Sequence, residues 1–328
     1  MPCCHRPGFL SLQALIVSAA LLLPLAASAD TLTVSQWGIG YSTINAAIDD
    51  AVDGDIVSVE MGIYSEDVDF DGKNITVITT SGPSVTTILG STTAVRFDNG
   101  ESSDAVLDGF TLTGGSYALY IQSASPVIRD CVIADNTSYA AYIYHYSNPT
   151  FEDCTFEDNS GSYPVYMYYY TEPTFTGCTF QNNSATHGGG MYIDSYNDVT
   201  VDECTFLNNT ASSYGGALYL YYSGLELTNS HFEGNSGYYG TISINSGTWA
   251  PVSVRDNVIF DNDAEYGGAF YVYDTPVYIA DNQVVENAAN TAGGAFYLDY
   301  YTRATILNNT VVGSTCYGTG SGFHVASY

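Results

Sequence analysis

Basic side chains are almost absent from this chain. Among its 328 residues there are 6 Lys+Arg against 35 Asp+Glu, a formal net charge of −29 at pH 7, and Lys73 is the single lysine. Nucleic acids and anionic membrane surfaces are held by clusters of Lys and Arg, so neither is an expected partner. Apolar runs long enough to span a bilayer are also missing after residue 29, so no membrane insertion of the mature chain is expected. Charge itself is sparse: charged residues are 12% of the chain and hydrophobic ones 45%, which excludes a disordered acidic tail. Cys3 and Cys4 fall in the N-terminal leader, leaving Cys131, Cys154, Cys178, Cys204 and Cys316. An odd number does not make a disulfide framework. What is abundant is 32 Gly and 30 Tyr, a composition of turns and strands.

Residues 1–29 read as a secretory signal peptide. His5 and Arg6 precede an apolar stretch from Leu10 to Leu25, and Ala27-Ser28-Ala29 forms a small-residue cleavage site before Asp30. The expected location is therefore secreted or cell-surface.

An internal repeat organises the remainder, 30–328. DCVIADN (130–136), DCTFEDN (153–159), GCTFQNN (177–183), ECTFLNN (203–209), NSHFEGN (229–235), DNVIFDN (256–262), DNQVVEN (281–287) and NNTVVGS (308–314) end at intervals of 23, 24, 26, 26, 27, 25 and 27 residues. A second motif follows several of them, as in GGGMY (188–192), GGALY (215–219) and GGAFY (267–271 and 293–297). Apolar residues alternate within each repeat, so the elements are short strands. The expected inward columns are Ile128, Phe151, Phe175, Val201, Leu227, Val254, Ile279 and Ile306 on the first strand, and Ile133, Phe156, Phe180, Phe206, Phe232, Ile259, Val284 and Val311 on the second. The third carries pairs such as Leu218/Leu220 and Phe270/Val272. The apolar phase slips between the first and second strands, and the Asn closing each CxFxxN is followed by a variable loop, so corners are expected at both places.

Three strands and three corners in about 25 residues make one coil of a parallel β-helix, an all-β solenoid whose core forms only by stacking coils. Equivalent side chains then form ladders about 4.8 Å apart. The Cys column reads as one such buried ladder, continued by Ser230, Asn257, Asn282 and Asn309. Ile44, Ala47, Ile48 and Ala51 recur at helical spacing and predict a short N-terminal capping helix. No cap is read after GFHVASY (322–328), so the C-terminal end is expected to be open, covered by a neighbour or continued in a longer chain.

The segment STINAAIDDAVDGDIVSVEMGIYSE (42–66) resembles the entry segment of pectate-lyase-like right-handed β-helices. The FxxN…GGAxY pattern, as in FLNNTASSYGGALY (206–219), resembles the repeats of chlamydial polymorphic outer membrane proteins. The resemblance implies a single right-handed parallel β-helix over 42–328; its motif residues are structural and imply little about activity. The polygalacturonase segments NTD, GHG and RIK are missing here, and His187-Gly188-Gly189 sits at a turn.

Three surface features are candidate sites. Arg129 and Glu152 fall at equivalent positions of neighbouring coils beside Asp130 and Asp153, a weak candidate for a lyase centre and a stronger one for a cross-coil ion pair. Asp67, Asp69 and Asp71 open like a Ca²⁺ loop, although the matching EF-hand Glu position holds Ile78; a strand with Val68 and Phe70 inward explains the same spacing, and Ca²⁺ is the one cofactor in view. Asp135 and Asp158 stack one coil apart, a repulsion that a cation would relieve. Finally, outward positions of the third strand form two columns that include Tyr142, Tyr166, Tyr192, Tyr219, Tyr271 and Tyr297, then Tyr221 and Tyr273. Tyrosine packs well in ladders, and an aromatic face of this size also suits a partner, an extracellular polysaccharide or a surface protein. The residues thus favour non-catalytic adhesion. A secreted polysaccharide lyase or glycoside hydrolase, which needs a carboxylate/Arg cluster walled by loops, is the alternative, followed by a structural spacer in a longer surface protein.

Overall fold

A computed structural model describes residues 29–245, 247 and 249–326. The leader read at 1–29 therefore lies almost entirely outside the described residues. The rest forms one parallel β-solenoid. Its three long sheets hold 12, 11 and 11 strands, and every strand-to-strand pairing within them is parallel. The expected inward columns are the observed registers: Phe151 lies between Ile128 and Phe175, and Phe206 between Phe180 and Phe232. The Phe rings of the second sheet stack from Phe156 to Phe232 with centroids 4.5–4.9 Å apart, a run of four aromatics in a column continued by Ile133 on one side and Ile259 on the other. No helix among the described residues is long and apolar enough to cross a membrane.

The predicted capping helix spans Ile44–Asp50 and buries Ile44, Ala47 and Ile48 against the first coil. Its ends are electrostatically matched. The Glu66 carboxylate accepts from the N–H groups of Ile44 and Asn45 at 2.9 and 3.0 Å, while the lone lysine, Lys73, donates to the carbonyls of Ile48 and Asp49 at 2.6 and 2.8 Å. An anion at the N-terminus and a cation at the C-terminus satisfy both orphaned ends of a helix too short to be stable alone.

Two corners account for part of the acidic composition. The residue before the Cys/Asn column and the residue before the CxFxxN asparagine are both left-handed, as at Asp130 (φ 51°), Asp153 (φ 51°), Asp135 (φ 57°) and Asp158 (φ 54°). Asp, Asn and Gly tolerate that conformation best, so these aspartates are turn residues. Beside them, Asn136, Asn159, Asn183, Asn209, Asn235, Asn262 and Asn287 form a buried ladder. From Asn159 onward each Oδ1 accepts both the backbone N–H and the Nδ2 of the preceding coil's asparagine at 2.9–3.1 Å, while the Asn136 Oδ1 accepts from the Gly114 N–H at 3.0 Å. The Cys column is buried and free of disulfides, and it runs through Ser230 into a second ladder of Asn257, Asn282 and Asn309.

One expectation needs extension. The variable loop after each ladder asparagine is itself a strand in the later coils, and these strands pair into a fourth sheet of 6, beginning at Ser184–Ala185. The coils of 23 and 24 residues lack it, and the coils of 25–27 residues have it. Two or three extra residues are enough for the corner to straighten and pair.

The GG(A/G) motif follows from two constraints. Its first glycine is left-handed, as at Gly188 (φ 57°) and Gly215 (φ 63°). Its second has no room for a side chain: a Cβ on Gly189 would lie 2.1 Å from the Gly216 carbonyl oxygen and 2.7 Å from the Thr210 nitrogen. Gly189→Ala is expected to destabilise the fold by about 3 kcal/mol in urea unfolding, because both obstacles are backbone. Gly322→Ala, where a Cβ meets nothing within 4 Å, is expected to stay within about 0.5 kcal/mol of the parent.

Candidate functional site

The third sheet places the tyrosines in the expected register. Tyr120, Tyr142, Tyr166, Tyr192 and Tyr219 pair in succession, then Ser243, Tyr271, Tyr297 and His324. The outer column runs Gln122, Tyr144, Tyr168, Asp194, Tyr221, Asn245 and Tyr273. The face is more enclosed than alternation alone implies. Tyr219 and Tyr271 point away from the core yet are only 5% exposed.

A third aromatic column causes this, and the repeat analysis missed it. Tyr117, Tyr139, Tyr163, His187, Tyr214, Tyr239 and Tyr266 stand just before the main column, with ring centroids 4.7–6.3 Å apart along the stack. Tyr219, for example, is wedged against Tyr192 at 4.9 Å, Tyr214 at 5.0 Å and His187 at 5.6 Å. The signal was present as a Tyr three residues before Tyr120, Tyr142 and Tyr166, and five before Tyr219 and Tyr271.

Enclosure changes the chemistry of the phenols. Tyr166 donates its hydroxyl to Asp194 at 2.8 Å and Tyr271 to Asp299 at 2.7 Å. Burial, with neighbouring phenols adding to it, pushes Tyr142 up to about 12. Burial raises Tyr166 and Tyr192 further, with Asp194 the next cause; it raises Tyr219 beside Tyr214, and Tyr271 beside Asp299. Burial among the rings pushes His187 down, which favours its neutral form. Stacked rings cover one another's faces, so what the sheet turns outward is ring edges and hydroxyls.

The other candidates are dispersed. Arg129 does form a cross-coil ion pair, but its partner is Asp108 of the preceding coil, Nε to Oδ2 at 2.8 Å, and not the Glu152 expected from the repeat. Glu152 is exposed one coil further on, while Asp130 and Asp153 hold the left-handed corner. Asp67 accepts from the N–H groups of Ser91 and Thr92 and from the Ser91 hydroxyl. Burial works to raise its pKa, but those hydrogen bonds outweigh it and hold the carboxyl below its usual range. Asp69 accepts from the Asp71 N–H at 2.9 Å, Asp71 is left-handed at φ 51°, and Val68 and Phe70 are buried, as the strand reading expects. Among the described residues no three His, Cys, Asp or Glu side chains gather as a metal-binding group, so the structure does not assemble Asp67, Asp69 and Asp71 into one.

Aromatic side chains are exposed also at the corner after the third sheet. Tyr146 is 60% exposed and Trp249 49%. Trp249 also borders a shallow depression of about 520 Å³ together with Tyr278, Pro276 and Arg303.

No curated protein matches the chain. Among solved structures, it is similar to the A-module of the mannuronan C-5 epimerase AlgE6 of Azotobacter vinelandii, at 17% identity and TM-score 0.49 over 87% of this chain and 94% of that one. The pectin methylesterase PemA of Erwinia chrysanthemi is 10% identical at TM-score 0.46, over 75% and 80% of the two chains. The catalytic unit of a thermostable GH87 α-1,3-glucanase of Streptomyces thermodiastaticus is 15% identical at TM-score 0.47, over 94% and 69%. In sequence, residues 74–189 and 184–311 match the family described as the right handed beta helix region, which sets the hand of the coils. The chain belongs to the right-handed β-helix family.

Proposed function

We propose that the protein is an exported, non-catalytic binding protein that holds an extended glycan along its tyrosine sheet. The observation that supports this reading is the phenol array, which sets tyrosines on most successive coils of one sheet face, broken at Ser243 in the main column and at Asp194 and Asn245 in the outer one. The one arginine among the suspected catalytic residues is already paired with Asp108. The leader read at 1–29 supports export.

Hydrogen bonding by the outer column can be separated from packing. Tyr168→Phe, Tyr221→Phe and Tyr273→Phe keep the rings and remove only the hydroxyls. Each lost hydrogen bond is worth about 1 kcal/mol, so the triple variant is expected to bind a retained polysaccharide at least about tenfold more weakly in affinity electrophoresis, with an unchanged melting temperature. New reducing or unsaturated ends on the bound polysaccharide, abolished by Arg129→Ala, would instead establish the lyase or hydrolase alternative. A protein that retains no polysaccharide leaves a surface-protein partner or the spacer role.

A further inference from the structure

The corner after the third sheet differs from the other two. There a left-handed tyrosine recurs on four successive coils, Tyr146, Tyr170, Tyr196 and Tyr222, with φ of 56°, 58°, 68° and 46°, preceded on the first three by a second left-handed residue, His145, Tyr169 and Ser195. A bulky L side chain is disfavoured in this region, and at the other corners Asp, Asn or Gly mostly fills it. Mutual stacking offsets part of the strain, with Tyr146 and Tyr170 rings 5.4 Å apart and nearly parallel, and Tyr170 and Tyr196 5.1 Å apart. Trp249 stands almost perpendicular to both Tyr170 and Tyr196, at 5.4 and 5.2 Å. The rings bound a hollow of about 180 Å³.

Two carboxylates complete its lining. The register that pairs Thr174 with Thr200 also places Glu172 beside Asp198 on the next coil, and both border the hollow. Neither takes part in an ion pair among the described residues. Burial, then the charges of Glu172 and Glu226, raise the Asp198 pKa, as expected for a carboxylate short of a cation. Gly224, one coil further, leaves the space that Asp198 occupies, since a Cβ there would lie 2.7 Å from its Oδ1.

We infer that this hollow binds a small organic cation of the quaternary ammonium class. Aromatic faces and edges at right angles, closed by anionic oxygens, suit a weakly hydrated cation that loses little on leaving water. An inorganic ion would forfeit a stronger hydration shell for rings that cannot replace it. The volume is below the roughly 300–1,000 Å³ typical of sites for drug-sized ligands and suits a head group. This site shares no residue with the outer tyrosine column, so its success or failure is independent of glycan binding.

Choline chloride is the probe, titrated into the purified protein at constant ionic strength and read by calorimetry and by Trp249 fluorescence. Saturable binding is expected, at least about tenfold tighter than for 3,3-dimethyl-1-butanol, the uncharged isostere of choline. The double variant Glu172→Gln/Asp198→Asn is expected to lose about tenfold or more without a change in melting temperature, and Tyr170→Leu to lose a comparable factor. Equal affinity for the neutral isostere, unchanged affinity in the double variant, or no saturation by about 100 mM choline would overturn the assignment. Given saturable choline binding, co-sedimentation with phosphatidylcholine vesicles but not phosphatidylglycerol vesicles would identify a lipid head group as the source, and its absence a soluble ligand.

Discussion

Asn209→Ala is expected to destabilise the protein by about 4 kcal/mol, far more than loss of the volume alone. In the native ladder the Asn209 Oδ1 accepts from the Asn183 N–H at 3.1 Å and Nδ2 at 2.9 Å, while its own Nδ2 donates to the Phe180 carbonyl at 2.8 Å and the Asn235 Oδ1 at 3.0 Å. Alanine strands donors on one coil and acceptors on another, all buried. Cys204→Ala, one corner away, is the control. The Cys204 thiol makes long contacts of 3.5 Å to the Phe175 carbonyl and 3.3 Å to the Asp202 carbonyl and meets the Cys178 thiol, all weak sulfur interactions, so its removal is expected to cost about 1 kcal/mol. Urea unfolding of both variants checks the ratio.

Asn209→Asp tests the same point with charge. An aspartate there faces acceptors where the asparagine used its amide hydrogens, so burial would raise its folded pKa above the unfolded value of about 3.9. A raised carboxyl pKa means that the folded state holds the proton more tightly. The variant is therefore expected to come nearest the parent below that unfolded value and to fall behind as pH rises through the folded one. A deficit relative to the parent that is independent of pH would show that water reaches the corner.

Register was legible in the sequence because stacking leaves it little freedom. A one-residue slip would turn Phe206 and its column outward, so apolar alternation alone predicted the partners of Phe206 and of Tyr219. Enclosure of the outward tyrosines was not legible. Alternation reports the side of the sheet on which a residue lies, whereas the 5% exposure of Tyr219 depends on lateral neighbours such as Tyr214, which lies outside the strand and bridges Tyr239. The partner of Arg129 was ambiguous for a related reason. Every position has one neighbour on each side, here Asp108 and Glu152, and only side-chain geometry chooses between two carboxylates. The fourth sheet escaped detection because its strands, from the two residues of Ser184–Ala185 to the five of Ala288–Ala292, share no apolar alternation in sequence. The tyrosine corner was unreadable for want of backbone conformation, since nothing in the letters YY at 169–170 marks φ as positive.

Alkaline titration is expected to reveal the enclosed phenols as a group. Exposed tyrosines should ionise near pH 10, while Tyr142, Tyr166, Tyr192, Tyr219 and Tyr271 should stay protonated and then ionise together as the fold is lost. The sign follows from the upward shifts. Below about pH 10 these phenols are neutral in both states and their contribution is fully present. Above it the unfolded chain releases protons that the folded chain retains, so stability falls as pH rises toward the folded values, of which Tyr142's is about 12. Phenolate absorbance and far-ultraviolet circular dichroism should therefore change in one shared step. Graded ionisation of every tyrosine with intact dichroism would show that the rings are solvated and the layer open. Asp194→Asn separates the causes. It removes the carboxylate that accepts from Tyr166 and whose charge also bears on Tyr192, so the alkaline step should move to higher pH relative to the variant's own neutral stability. Burial is the larger cause at both residues, so most of the step should survive the substitution. If Tyr166 and Tyr192 then titrated with the exposed phenols, the carboxylate rather than the stack would be what keeps them neutral.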